Sequence, residues 1–148
     1  MKNLFQPDAV DEVMARIDRL SASSQPQWGK MDVAQMLAHL STTMDMAAGK
    51  FAAKRSLIGR IIGPRVRYIL TDESPMRRNS PTAKELKVSG SDFASEHERL
   101  KRSVREFHEG GESQVTKYPH PFFGELTPVE WSTGMYKHLD HHLKQFGV

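Results

Sequence analysis

Three histidines fall within five residues near the C-terminus, His138, His141 and His142 in the run KHLDHHLKQF. Neutral imidazole is the commonest metal ligand among side chains and also serves as a general base, so chemistry is most concentrated in this run. An i, i+4 pair on a helix projects two rings side by side onto one ion, the geometry used by metalloprotease helices. On a wheel that starts at Trp131 and advances about 100° per residue, Met135, Phe146, Leu139 and Leu143 fall at roughly 40°, 60°, 80° and 120°. His142 lies at roughly 20° and His138 at roughly −20°, both bordering that apolar stripe, whereas His141 lies at roughly −80°, well off it. His138 and His142 are therefore the better ligand pair. His141 is expected behind them, supporting a ligand or facing solvent. The plainer alternative for such a pair is two hydrogen-bonded, partly buried histidines without an ion.

Two ligands leave a site incomplete, because a catalytic zinc usually takes three protein ligands and a water. The best third is His39, which sits mid-helix in QMLAHLSTTMDM, on the margin of an apolar stripe beside Met36, Thr43 and Met46. Taken alone, a histidine there is more often a satisfied core or boundary residue. His97 and His108 lie among charges in SEHERLKRSVREFHEGG and are expected at the surface. His120 lies between Pro119 and Pro121, which force an extended backbone. If its loop borders the site, His120 is a candidate hydrogen-bond donor to a ligand, and Phe122 and Phe123 would seal the bundle end.

The chain has no cysteine. That excludes a disulfide framework, a thiolate nucleophile, an iron–sulfur cluster and a Cys-rich zinc site. No Ser–His–Asp order, Gly-rich phosphate loop or paired-carboxylate motif occurs either. Asp140 falls at roughly 180° on the wheel and reads as a solvated charge. Tyr136 and Glu130 are conceivable bases, but packing and helix capping account for them more simply.

These side chains must be positioned by helices. The first is expected from Asp8 to Leu20, with Val10, Val13, Met14, Ile17 and Leu20 at helical spacing. The second opens on Asp32 as N-cap, buries Val33, Met36, Leu37, Leu40, Met44 and Ala47, and ends at Gly49. The third runs from Ser91 or Asp92 to Glu109, stopped by Gly110-Gly111. The fourth starts at Thr127-Pro128-Val129-Glu130, a capping box with proline at the first helical position, and reaches Phe146. Between the second and third, Phe51–Leu70 reads as two short helical pieces broken by Gly63-Pro64, and Thr71–Val88 as loop. Trp28 and Trp131 read as core anchors. The 148 residues are expected to form one all-α domain, 1–148: a four-helix bundle with a long basic crossover carrying short helices.

The net charge of +3 is uneven. From Lys50 to Arg78 there are eight cationic side chains against Asp72 and Glu73, a segment of net +6. The plain reading is a solvated face around a few buried Ile and Leu. The next is a surface that draws a small, anionic substrate towards the bundle. A membrane or nucleic-acid contact ranks last, and no nucleic-acid-binding motif supports one. A homodimer is expected, because the apolar pairs of the crossover need covering. No stretch approaches the roughly 20 apolar residues of a membrane span, and the N-terminus lacks a secretory pattern, so a cytoplasmic location is expected.

One histidine in the second helix, a long interval and then HxxHH in the last helix resembles the DinB-like superfamily of metal-binding four-helix bundles. The segment HPFFGELTPVEWSTGMYKHLDHHLKQFG is similar to an uncharacterised branch with a His-Pro-x-Phe-Gly-x-Leu segment before the final helix. The resemblance covers nearly the whole chain in helix order. It is most specific around Trp28–His39 and from His120 to Gly147. It implies a divalent ion held by His39, His138 and His142; three imidazoles suit zinc or nickel first, and the helical numbering leaves His141 open as a fourth or alternative ligand. Relatives include transferases that use low-molecular-weight thiols such as mycothiol or bacillithiol. The resemblance therefore implies a metal-dependent transferase or hydrolase acting through a metal-bound thiolate or water. The alternative is a non-enzymatic metal- or ligand-binding stress-response protein.

Overall fold

The computed structural model describes residues 1–80, 86, 88 and 92–148. It contains five α-helices: α1 (Pro7–Ile17), α2 (Val33–Ala47), α3 (Leu57–Val66), α4 (Phe93–Gly110) and α5 (Pro128–Gln145). Short 3₁₀ turns follow α3 at Arg67–Leu70 and α4 at Gly111–Gln114. No strand occurs among the described residues, and the only bridge among them joins His120 to Gly124.

The helix starts follow from local chemistry. Asp32 and Thr127 each close a capping box, with Gln35 and Glu130 reaching back to the cap backbone. Asp92 accepts from the Ser95 amide and Ser56 from the Gly59 amide. Each side-chain oxygen satisfies an amide that the helix itself leaves unpaired. The expected alternative start of α4 at Ser91, like residues 81–85 and 87 of the loop expected over Thr71–Val88, lies outside the described residues; residues 71–80 are irregular.

Helices α1, α2, α4 and α5 form the bundle. Contacts join α1 to α4, α4 to α2, α2 to α5 and α5 to α1, so α1 stands diagonally across from α2, and α4 from α5. Their directions can be read from side-chain pairs. Arg16, at the end of α1, donates to Asp140 and to the Val148 carbonyl, whereas Ser132 near the start of α5 reaches Asn3; α1 and α5 are parallel. Asp45 pairs with Arg99 and Lys50 with Glu106, so α2 and α4 are parallel as well. Parallel neighbours cannot be joined by a tight turn, which is why the chain needs a long crossover between them.

Leu37, Leu40, Met44, Leu100, Val104, Trp131, Leu139 and Leu143 are buried in one core shared by these helices. Burying each large aliphatic side chain contributes about 1.5–3 kcal/mol. The crossover is fastened to that core by Leu70, which lies over Gly134 of α5 where a Cβ would sit 3.2 Å from the Leu70 side chain. The buried Lys137 adds three bonds, to the Ile69 and Asp72 carbonyls and, at 2.6 Å, to the Asp72 carboxylate.

Three expectations need correction. Phe51–Leu70 is not two pieces broken at Gly63-Pro64: α3 runs through Pro64. The proline lies in the last turn, where its missing N–H removes one bond only. His97 and His108 are not surface residues. Both are half-buried, bonding the Ile17 carbonyl at 3.1 Å and the Leu4 carbonyl at 2.8 Å, and so tie α4 to α1. Asp140 is not a free solvated charge but sits between Arg16, at 2.9 Å, and Lys144, at 2.8 Å.

Candidate metal centre

His39 lies near the middle of α2 and His138 and His142 lie one turn apart on α5, the helix packed against it. Their Nε2 atoms converge. His138 Nε2 is 3.2 Å from His39 Nε2 and 3.1 Å from His142 Nε2, and one ligand atom from each residue lies within 4.8 Å of the others. Nitrogens bound to one tetrahedral zinc at about 2.0–2.1 Å stand about 3.3–3.4 Å apart. Two sides of the triangle therefore already have nearly the length an ion requires. The group contains no carboxylate.

The other ring nitrogens decide what the three Nε2 atoms carry. His39 Nδ1–H donates to the Leu86 carbonyl at 3.0 Å. His142 Nδ1–H donates to Gln145 Oε1 at 2.8 Å, and the Gln145 amide is oriented by its own Nε2, which donates to the Trp28 carbonyl at 2.6 Å. Thr43 gives its hydroxyl proton to the Leu40 carbonyl at 2.8 Å, so its oxygen accepts from His138 Nδ1 at a long 3.5 Å. With the protons of His39 and His142 on Nδ1, their Nε2 atoms present lone pairs to His138 Nε2. A divalent ion would take all three nitrogens as ligands.

Burial disfavours the proton. Desolvation lowers His39, against the Leu86 bond. Desolvation and then the neighbouring imidazoles hold His138 well below the ordinary histidine value. His142 is pushed down to about 3, by burial first and by His39 next. At neutral pH all three are neutral rings, the protonation state a divalent ion needs. His39 and His142 are buried and His138 is half-buried, so the triangle lies within the bundle.

His141 and His120 stand outside this triangle. The His141 ring lies edge-on to Trp28, with centroids 5.8 Å apart, and lines a cleft of about 1170 Å³ beside α1 and α5 together with Arg78, Lys144 and Tyr136. None of the three converging histidines lines that cleft. His120 packs on Trp131 and Phe123, and its Nδ1 accepts from the Phe122 and Phe123 amides at 3.1 and 3.2 Å. Those bonds hold the turn before α5.

Burial lowers His120 from 6.5 to about 4, so in that interval the unfolded chain binds a proton that the folded one refuses. The stabilisation from this ring is complete above pH 6.5 and declines as pH falls towards 4. A His120→Ala variant is expected to lose roughly 1–2 kcal/mol at neutral pH, and the deficit should shrink in acid. Urea unfolding of both proteins at about pH 7.5 and about pH 4.5 measures this.

Sequence reasoning missed the residues that orient the three histidines. Gln145 stands three positions after His142, a spacing that places both on one helix face, and that signal was readable; Thr43, one turn after His39, reaches His138 across the helix interface instead. The carbonyls of Trp28 and Leu86 carry no sequence signal.

The family described as "Protein of unknown function (DUF1569)" matches residues 2–147. The chain belongs to that family. Searches of curated proteins and of solved structures found no match to the chain. Membership thus spans all five helices and all three converging histidines, and the chemistry has to be argued from the site itself.

Proposed function

We propose that the protein is a DinB-like metal-binding bundle in which His39, His138 and His142 hold one divalent ion, zinc or nickel, for transferase or hydrolase chemistry. The observation that carries this reading is the convergence of three Nε2 atoms on one point, with the far sides of the His39 and His142 rings engaged by the Leu86 carbonyl and by Gln145. The helix order supports it too, with one ligand from the second bundle helix and two from the last. Three neutral imidazoles suit zinc, nickel and their first-row neighbours better than calcium or magnesium.

An ion with three protein ligands has coordination positions left for substrate, where it lowers the pKa of a water or of a low-molecular-weight thiol. The protein's own part is to keep the imidazoles neutral, fix their orientation through Leu86, Thr43 and Gln145, and exclude bulk water on the core side. A thiol would have to come from a small molecule, since the chain has no cysteine. A small anionic substrate suits the basic segment over residues 50–78.

The burial of His39 and His142 favours a second reading, a non-enzymatic protein whose ion is structural. The two separate in one experiment. The purified protein is loaded with zinc or nickel and screened against electrophilic and ester substrates, with and without low-molecular-weight thiols. Turnover that requires both the ion and His138 supports the enzyme. A bound ion that raises the unfolding temperature without any turnover supports the structural role.

A further inference from the structure

Helix α3 packs the wrong way round for an ordinary surface helix. Its bundle-facing residues are Gly59 and Gly63, and a Cβ at either would lie 2.7 or 1.9 Å from Phe122 backbone atoms. Backbone therefore rests on backbone, and the large side chains of the helix are turned outward. Leu57 is 76% exposed, Ile58 65%, Ile61 67% and Ile62 46%, and the strip continues through Tyr68 and Ile69. An exposed apolar face of this size on a preformed, Ser56-capped helix marks a contact surface rather than chance.

Charge selects the occupant. No acidic residue occurs from Phe51 to Thr71, whereas Lys54, Arg55, Arg60, Arg65 and Arg67 do. We propose that α3 docks the protein on an anionic lipid bilayer, with Leu57, Ile58, Ile61 and Ile62 entering the interface and the flanking cations on the phosphates. Apolar residues beside Lys and Arg on one exposed helix are what an in-plane interfacial helix requires. Tyr68 is a residue type enriched at that depth.

A second copy of the chain fits less well. It would bring two strongly cationic segments face to face, and Arg65 falls within the apolar strip on the helical wheel, at roughly 80° between Ile61 and Ile58. There its guanidinium folds back onto the Ile61 carbonyl at 2.7 Å. In a dry dimer interface that charge would be buried against its own kind, whereas at a bilayer it can extend to a phosphate. Beside the strip, Arg55 and Arg67 line a cleft of about 300 Å³ with Pro64 and Glu125, and Arg67 pairs with Glu130 at 3.4 Å, so Lys54, Arg60 and Arg65 are the cations best placed for the phosphates.

The test is co-sedimentation of the full chain with phosphatidylcholine vesicles, with and without phosphatidylglycerol. The wild type is expected to sediment with the anionic vesicles only, and less so as salt rises. Ile58→Glu and Ile61→Glu change exposed residues and should leave the melting temperature unaltered while weakening binding at least about tenfold. Arg60→Ala and Arg65→Ala should each weaken it about fivefold. Vesicle binding indifferent to these changes would overturn the proposal. So would failure of the wild type to bind, or a soluble dimer that Ile61→Glu dissociates while neither protein binds vesicles.

Discussion

Replacing His138 with alanine is expected to leave the purified protein with less than about a tenth of the metal that the wild type carries, because the residue at the apex of the triangle supplies both short Nε2–Nε2 approaches. His39→Ala and His142→Ala should each do nearly the same. His141→Ala should leave the ion in place, since that ring faces Trp28 and the outer cleft. Stability gives an independent reading. An ion present at about a hundred times its Kd should raise wild-type stability by about 2.7 kcal/mol and the His138→Ala protein by almost nothing. Without metal the difference between the two proteins should shrink to what the ring contributes by packing. Metal analysis together with chemical denaturation in chelator checks both halves. A stability difference that is the same with and without metal would mean that the histidines form a satisfied hydrogen-bond cluster.

The second large effect belongs to Gln145, which sequence reading passed over. Its amide spans two elements, donating to the Trp28 carbonyl at 2.6 Å and accepting from His142 at 2.8 Å. The loop before α2 leaves no slack around it. Gly29 has φ +84°, and a Cβ there would lie 2.5 Å from Gln145 Nε2. Removing such a partner of a ligand typically costs 10–100-fold in metal affinity. Gln145→Leu keeps the bulk and loses both bonds, and a fall in affinity of about that size is expected by isothermal titration with zinc. Gln145→Glu keeps the acceptor for His142 Nδ1–H but sets a carboxylate oxygen against the Trp28 carbonyl, so it should recover only part of the affinity lost in Gln145→Leu. Equal losses in both variants would point to packing rather than orientation as the role of this residue.

The converging pair on α5 was legible because it depends on helical periodicity alone. The four-residue interval between His138 and His142 and their place beside the Trp131–Leu143 stripe select them over His141 without knowledge of the fold. His39 was legible only as a candidate. Its meeting with α5 depends on α2 and α5 being neighbours, which no local pattern states.

Capping residues announced α2 and α5 for the same local reason, and both helices begin where Asp32 and Thr127 place them. The crossover was read less well. Gly63-Pro64 looks like a break, yet Gly63 is there so that the helix can lie directly on the Phe122 carbonyl, a contact between segments about 60 residues apart in the chain. His97 and His108 were misjudged because charged neighbours suggest solvent, whereas each ring also reaches a carbonyl of the N-terminal segment, Ile17 and Leu4 respectively. Side-chain partners inside a helix can be inferred from spacing; backbone carbonyls delivered by loops cannot.

The central claim is that three Nε2 atoms share one ion. X-ray absorption at the metal edge of the protein, purified without added metal, addresses it most directly. The account predicts close to one zinc or nickel per chain, with three imidazole nitrogens in its inner shell, at about 2.0–2.1 Å if the metal is zinc. An ion surrounded by oxygen alone, or metal-free protein that takes up neither zinc nor nickel when these are supplied, would contradict it.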